Sequence, residues 1–138
     1  MEKRYFKTAI DVRYRDTDSM GHVAAPVYYE YMLHAYLAFM HDLLDVPPAE
    51  KIPHIMGKTS CEYKLPARYG DVINIKSSVT RFGTKSFDVE YLMELDGRAD
   101  KLIAVGQSSH VTFDYQSNMP IAIPDEFKQS VLRFQNCL

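Results

Sequence analysis

Long apolar runs, paired cysteines and an excess of one charge are what this 138-residue chain lacks. No stretch approaches the roughly 18 uninterrupted apolar residues of a membrane span, so no membrane-crossing helix is expected. The opening Met1-Glu2-Lys3-Arg4-Tyr5 has none of the apolar core of a signal peptide. Cys61 and Cys137 stand single and far apart, which encodes neither a disulfide framework nor a zinc site. A reducing cytoplasm is the expected location. The 16 basic and 18 acidic residues nearly cancel and are interspersed, leaving a net charge of −2. That balance argues against nucleic acid as a partner, which would want a basic surface. Internal repeats, low-complexity tracts and linkers are absent too. With 46% hydrophobic residues, residues 1–138 are expected to form one domain, long enough to bury about two-thirds of the surface its unfolded chain exposes.

What is present is a clear alternation of strand and helix signals. Phe6, Thr8, Ile10, Val12 and Tyr14 alternate with polar residues and predict a first strand with one apolar face. Pro26 suits the first turn of a helix, which should run from about Pro26 to Leu44 and stop before Pro47-Pro48. Nearly every position of that helix is apolar or aromatic, a pattern expected of a helix buried on most sides. Strand candidates follow at about Ile55 to Tyr63, Asp71 to Phe82, Phe87 to Leu95 and Lys101 to Tyr115. Phe82-Gly83-Thr84 and Asp96-Gly97 read as the intervening hairpin turns. Ala104, Gly106 and Ser108 share one face of the last strand, where small side chains would let a helix approach closely. A short amphipathic helix is expected from Pro124 to Phe134. This order predicts an α+β fold, a single curved, mostly antiparallel sheet wrapped around one long central helix.

The chemistry concentrates in Asp16-Thr17-Asp18-Ser19-Met20-Gly21-His22-Val23, which joins the first strand to the helix. A carboxylate there sits near the positive end of the helix dipole, beside backbone N–H groups that have no intrahelical partner. Those same N–H groups could polarise a carbonyl. An acid and an oxyanion site together make a small hydrolytic centre that needs no Ser, Cys or metal. The plainer reading makes Asp16 and Asp18 turn residues and helix caps, as Asp often is between elements.

The opening strand–DTDxxGHV–Tyr–helix pattern, from Tyr14 through Glu30, resembles the hotdog-fold acyl-CoA thioesterases of the 4-hydroxybenzoyl-CoA thioesterase-like family. Later segments are similar in the same order: Tyr63-Lys64-Leu65-Pro66 with Gly70-Asp71, then Lys85-Ser86-Phe87, then Ala104-x-Gly106 with Val111-x-x-Asp114. The resemblance implies a hotdog fold, a homodimer or dimer of dimers whose sheets join, and active sites at the subunit interface. It implies hydrolysis of a fatty or aromatic acyl-CoA, with an acyl-carrier-protein thioester as the close variant and no cofactor. It places the catalytic acid at Asp18, as general base or nucleophile, and the carbonyl-holding N–H near Ala25. Gly21, His22, Ala25 and Tyr28 are then the substrate-binding residues. Two departures stand out. Many relatives follow Gly-His-Val with two asparagines, where this chain has Ala24 and Ala25, and many carry an acid and an arginine where His34 and Tyr36 stand. The double alanine favours the rival reading, a non-catalytic acyl-CoA-binding or assembly protein of the same fold; retention of Asp18, Gly21 and Tyr28 opposes it.

Other candidates have plain counterparts. Glu30, His34 and His41 fall within about 40° of one another on a helical wheel, an arrangement a metal can use; it is equally one polar stripe of the helix, and no metal site is assigned. His22 suits a loop residue that hydrogen-bonds backbone. Gly106-Gln107-Ser108-Ser109-His110 superficially suggests a nucleophile elbow, but it lacks the second glycine and lies within a strand. Arg81 and Lys85 flank a turn and suit the phosphates of coenzyme A, or are simply a solvated hairpin.

Overall fold

The computed structural model describes residues 3–136; Met1, Glu2, Cys137 and Leu138 lie outside it, so of the two cysteines only Cys61 is described. The elements are β1 (Phe6–Asp11), α1 (Ala25–Leu44), β2 (His54–Tyr63), β3 (Val72–Phe82), β4 (Ser86–Leu95), β5 (Arg98–Asp114), β6 (Met119–Pro120) and α2 (Asp125–Asn136). The sheet runs β1-β3-β4-β5-β2, with the short β6 paired to β5. Every strand pairing is antiparallel. This is the hotdog arrangement, a curved sheet laid around α1.

Alternation decides the sheet's two faces. In β4, Phe87, Val89, Tyr91 and Met93 are fully buried, while Asp88, Glu90 and Leu92 between them are partly exposed. Ile73 and Ile75 of β3 join the same core. Against it α1 presents Tyr28, Tyr31, Met32, Ala35, Tyr36, Phe39 and Met40. At Gly106 of β5 an added Cβ would overlap Met32 Sδ of α1. A larger residue there would force the Met32 side chain to move, in keeping with the small-residue face expected of that strand.

The first strand is shorter than its alternation suggests. It ends at Asp11, and the chain turns through a 3₁₀ segment at Tyr14–Asp16. Tyr14 is therefore not on the core face: it is 77% exposed and meets Tyr69 edge-on at 5.9 Å. The long helix also departs from expectation. Its composition is apolar all round, yet Tyr29, Leu33 and Leu37, four residues apart, are exposed. The chain itself covers only one side of α1.

At the opposite edge, β1 pairs with β3 only as far as Ser77. The Gln135 side chain of α2 continues the ladder, its Oε1 accepting from Val79 N–H at 2.6 Å and its Nε2 donating to Val79 O at 3.2 Å. The C-terminal helix thus seals a sheet edge as well as burying Phe127 and Val131.

Candidate active site

Asp16 and Asp18 are two residues apart and do different things. Asp16 is 2% exposed. Its carboxylate accepts from Arg13 backbone N–H at 3.0 Å, from the Arg13 guanidinium at 3.0 Å and from the Tyr31 hydroxyl at 2.8 Å. Burial pushes this carboxyl up, but the Arg13 and Tyr31 contacts outweigh it and hold Asp16 below the ordinary value. Asp16 is the bolt that fixes the loop to α1.

Asp18 faces solvent. The loop closes as a tight turn, with Gly21 N–H donating to Asp18 O at 2.9 Å and Asp18 N–H donating to His22 O at 2.8 Å. Gly21 adopts φ 79°, with open space around its Cβ position, so conformation and not crowding calls for glycine. Asp18 Oδ1 accepts from Met20 N–H at 2.9 Å and from His22 N–H at 3.3 Å. Oδ2 has no protein partner among the described residues. One oxygen orients the carboxylate, and the other is unengaged among the described residues.

That carboxylate borders a cavity of about 320 Å³. His22, Val23, Ala25 and Tyr28 form one side, from the loop and the start of α1; Tyr63, Lys64, Leu65 and Pro66 form the other, from the end of β2. Ala24 caps α1 without any side-chain hydrogen bond. Its N–H donates to Asp16 O at 2.9 Å, whereas the Ala25 N–H is bound by nothing among the described residues. A backbone donor at the positive end of a 20-residue helix therefore remains free at the cavity. Tyr63 ties the two sides together, its hydroxyl donating to Ala25 O at 3.2 Å.

Four of the residues singled out in the sequence, Asp18, His22, Ala25 and Tyr28, meet at this cavity. Gly21 shapes the turn and does not line it. Burial pushes the Tyr28 phenol up to about 12, so it stays protonated. Arg81 and Lys85 lie elsewhere, at the β3–β4 hairpin, with Arg81 ten residues along from Asp71, which bonds Val12 beside the loop, or about 30 Å at strand rise. There Arg81 pairs with Asp88 at 2.7 Å. Glu30, His34 and His41 do not converge: the His41 ring bonds Val46 O at 2.9 Å, beyond the end of α1. No cluster of three or more His, Cys, Asp or Glu side chains suited to a metal occurs among the described residues. No helix among them is long and apolar enough to cross a membrane. Sequence reasoning misses the wall from Tyr63 to Pro66 as part of the site, although its Tyr-x-x-Pro pattern carries the signal.

Known proteins share this chain's sequence and fold. Acyl-CoA thioester hydrolase YbgC of Escherichia coli O6:H1 is 25% identical over 136 residues, spanning 94% of this chain and 100% of its own. The PA5185 protein of Pseudomonas aeruginosa superposes with a TM-score of 0.81 at 26% identity, over 97% of this chain and 96% of its own. A thioesterase of Thermus thermophilus, solved in complex with coenzyme A and Zn, gives 0.82 at 22% identity over 96% and 95%. The thioesterase-like superfamily matches residues 12–131, from the end of the first strand to the C-terminal helix, and the chain belongs to that family.

Proposed function

We propose that the protein hydrolyses acyl-CoA thioesters through Asp18. The observation that carries this reading is the pairing at one cavity of a carboxylate held by one oxygen with an unengaged backbone N–H at the helix start. The thioester carbonyl oxygen takes the Ala25 N–H, which stabilises the oxyanion as the tetrahedral intermediate forms. Asp18 Oδ2 either removes a proton from the attacking water or itself attacks the carbonyl carbon. In the first route that proton passes to the coenzyme A thiolate as the C–S bond breaks. In the second, the attack expels the thiolate and leaves a mixed anhydride, which water hydrolyses to the acid and free Asp18 while also supplying the thiol's proton. A thioester is activated enough for a carboxylate to suffice. Tyr28, Leu65 and Pro66 wall the acyl group, and His22 supports Asp18 through its backbone.

The name of the Escherichia coli relative, an acyl-CoA thioester hydrolase, supports a coenzyme A thioester as substrate. Arg81 and Lys85 take coenzyme A phosphates in this reading only if a second subunit brings its hairpin to the cavity. That geometry follows if β2, an outer strand of the sheet, pairs with its copy. The active unit is then a dimer or a dimer of dimers. The test is a thiol-release assay of the wild-type protein against fatty and aromatic acyl-CoA thioesters and an acyl-carrier-protein thioester. Turnover of at least one class is expected. Tight acyl-CoA binding without thiol release would instead support the non-catalytic reading that Ala24 and Ala25 raise.

A further inference from the structure

The first turn of α1 is held without a cap of its own. Helices are most often closed at this end by a Ser, Thr, Asp or Asn side chain that accepts a backbone N–H. Ala24 offers no such atom and makes no side-chain hydrogen bond. What fixes the turn comes from outside the helix. On one side of the free Ala25 N–H, Val23 N–H donates to Ala67 O at 2.8 Å and Ala24 N–H to Asp16 O at 2.9 Å. On the other, the Tyr63 hydroxyl donates to Ala25 O at 3.2 Å. Among the described residues it is the one side-chain hydrogen bond to the backbone of residues 24–28. The Ala24–Ala25 peptide, which carries the free N–H, is therefore pinned from both sides.

Tyr63 is itself well anchored. It is the last residue of β2, in register with Ala104 of β5. Just beyond it, the N–H groups of Lys64 and Leu65 both donate to Ile103 O, at 2.8 and 3.2 Å. Its ring meets the buried Tyr28 ring edge-on, with centroids 5.2 Å apart. Partial burial pushes the Tyr63 phenol up to about 12, so the hydroxyl keeps its proton and stays a donor. Tyr63 is 46% exposed, and water could serve its hydroxyl as well as Ala25 O does. The bond therefore adds little to stability. Its consequence lies in where it holds Ala25.

We propose that Tyr63 is a positioning residue of this site, its hydroxyl holding the first turn of α1 so that the Ala25 N–H stays aimed at the thioester carbonyl oxygen. The role rests on the reading of the Ala25 N–H as the oxyanion donor. Such a donor works by being in place before the charge develops, and a small misplacement costs rate more than binding. The acyl contacts of Tyr28, Leu65 and Pro66 do not depend on the hydroxyl.

Tyr63→Phe keeps the ring on Tyr28 and removes only the hydroxyl. In thiol release it should lower kcat about three- to tenfold, the weight of one neutral hydrogen bond, with KM within about twofold of wild type. In the free protein the Ala25 carbonyl ¹³C signal should move upfield. Unreactive probes read the same arrangement without turnover. Ketone analogues of hexanoyl-CoA and benzoyl-CoA, with a methylene in place of the sulfur, keep the carbonyl; the hexyl and benzyl thioethers of coenzyme A lack it. Wild type should bind a ketone more tightly than its thioether, and Tyr63→Phe should shrink that preference at least about threefold with thioether affinity unchanged. An unchanged Ala25 carbonyl signal, an unchanged preference, or a loss that falls on KM and thioether affinity would overturn the proposal. So would a wild type with no preference for the ketones. Thiol release absent from the wild type, with a ketone preference that depends on Tyr63, would remove the hydrolase reading and leave the positioning role standing.

Discussion

Two carboxylates separated by one threonine show how little residue type decides. Asp16 is buried beneath Arg13 and Tyr31, and Asp18 is exposed at the cavity with one oxygen free. Asp16→Asn keeps an acceptor for one partner but loses the charge that Arg13 and Tyr31 address. Hydrogen bonds to a charged group contribute about 1.5–3 kcal/mol, so a destabilisation of roughly 2 kcal/mol is expected, read as a lower denaturation midpoint in urea. With the protein still folded, its kcat should stay close to wild type. A large loss of kcat at full stability would show that Asp16 acts in the chemistry and not in holding the loop. The motif in the sequence locates the acids; only packing separates the bolt from the reacting group, because Arg13 and Tyr31 come from opposite sides of the loop.

Among the elements, those set by local chemistry are legible in the sequence. Gly97 adopts φ 75° in the Asp96-Gly97 turn, and the alternating residues of β4 bury the expected face. Pattern misplaces Tyr14 because period-two alternation continues past the point where Val12 N–H leaves β1 to bond Asp71 O. Pattern also fails to reveal the polar chain inside the core. Tyr91, Ser108 and His110 are hydrogen-bonded in series at 2.7 Å, and His110 stacks on Tyr36, with ring centroids 3.9 Å apart. The Ser108–His110 contact is thus a sealed core pair, not an exposed nucleophile. Burial pushes His110 down to about 3 and His54 to about 4. The unfolded chain binds protons first as pH falls below the ordinary histidine value. Stability is therefore full above about pH 6.5 and should decline toward pH 4, by up to about 1.4 kcal/mol per pH unit for each ring. Urea melts at pH 7, 6 and 5 measure this. Equal midpoints at pH 7 and pH 5 would mean that these rings are charged or solvated in the folded state.

For the molecule as a whole, two features of the single chain leave surface uncovered. β2 is an outer strand with Ile55 and Tyr63 exposed, and α1 leaves Tyr29, Leu33 and Leu37 uncovered beside it. Open strand edges invite pairing, and a two-fold axis satisfies both copies at once. The all-round apolar composition of α1 makes sense in an assembly, since a sequence does not distinguish a face buried within a subunit from one buried between subunits. Light scattering at micromolar concentration should give two or four times the 15.9 kDa chain mass. Leu33→Glu should shift it toward monomer and reduce thiol release in step. A wild-type monomer with full activity would remove the interface from the account.

The most direct measurement of the central claim is thiol release by Asp18→Asn beside the wild type. Asparagine keeps an oxygen for the Met20 and His22 N–H groups, so the turn and the fold should survive. It can neither take a proton from water nor attack a carbonyl, so kcat should fall at least about 10²-fold. KM should move far less, since the acyl and coenzyme A contacts remain. A folded Asp18→Asn protein that turns over acyl-CoA at close to the wild-type rate would contradict the carboxylate mechanism outright.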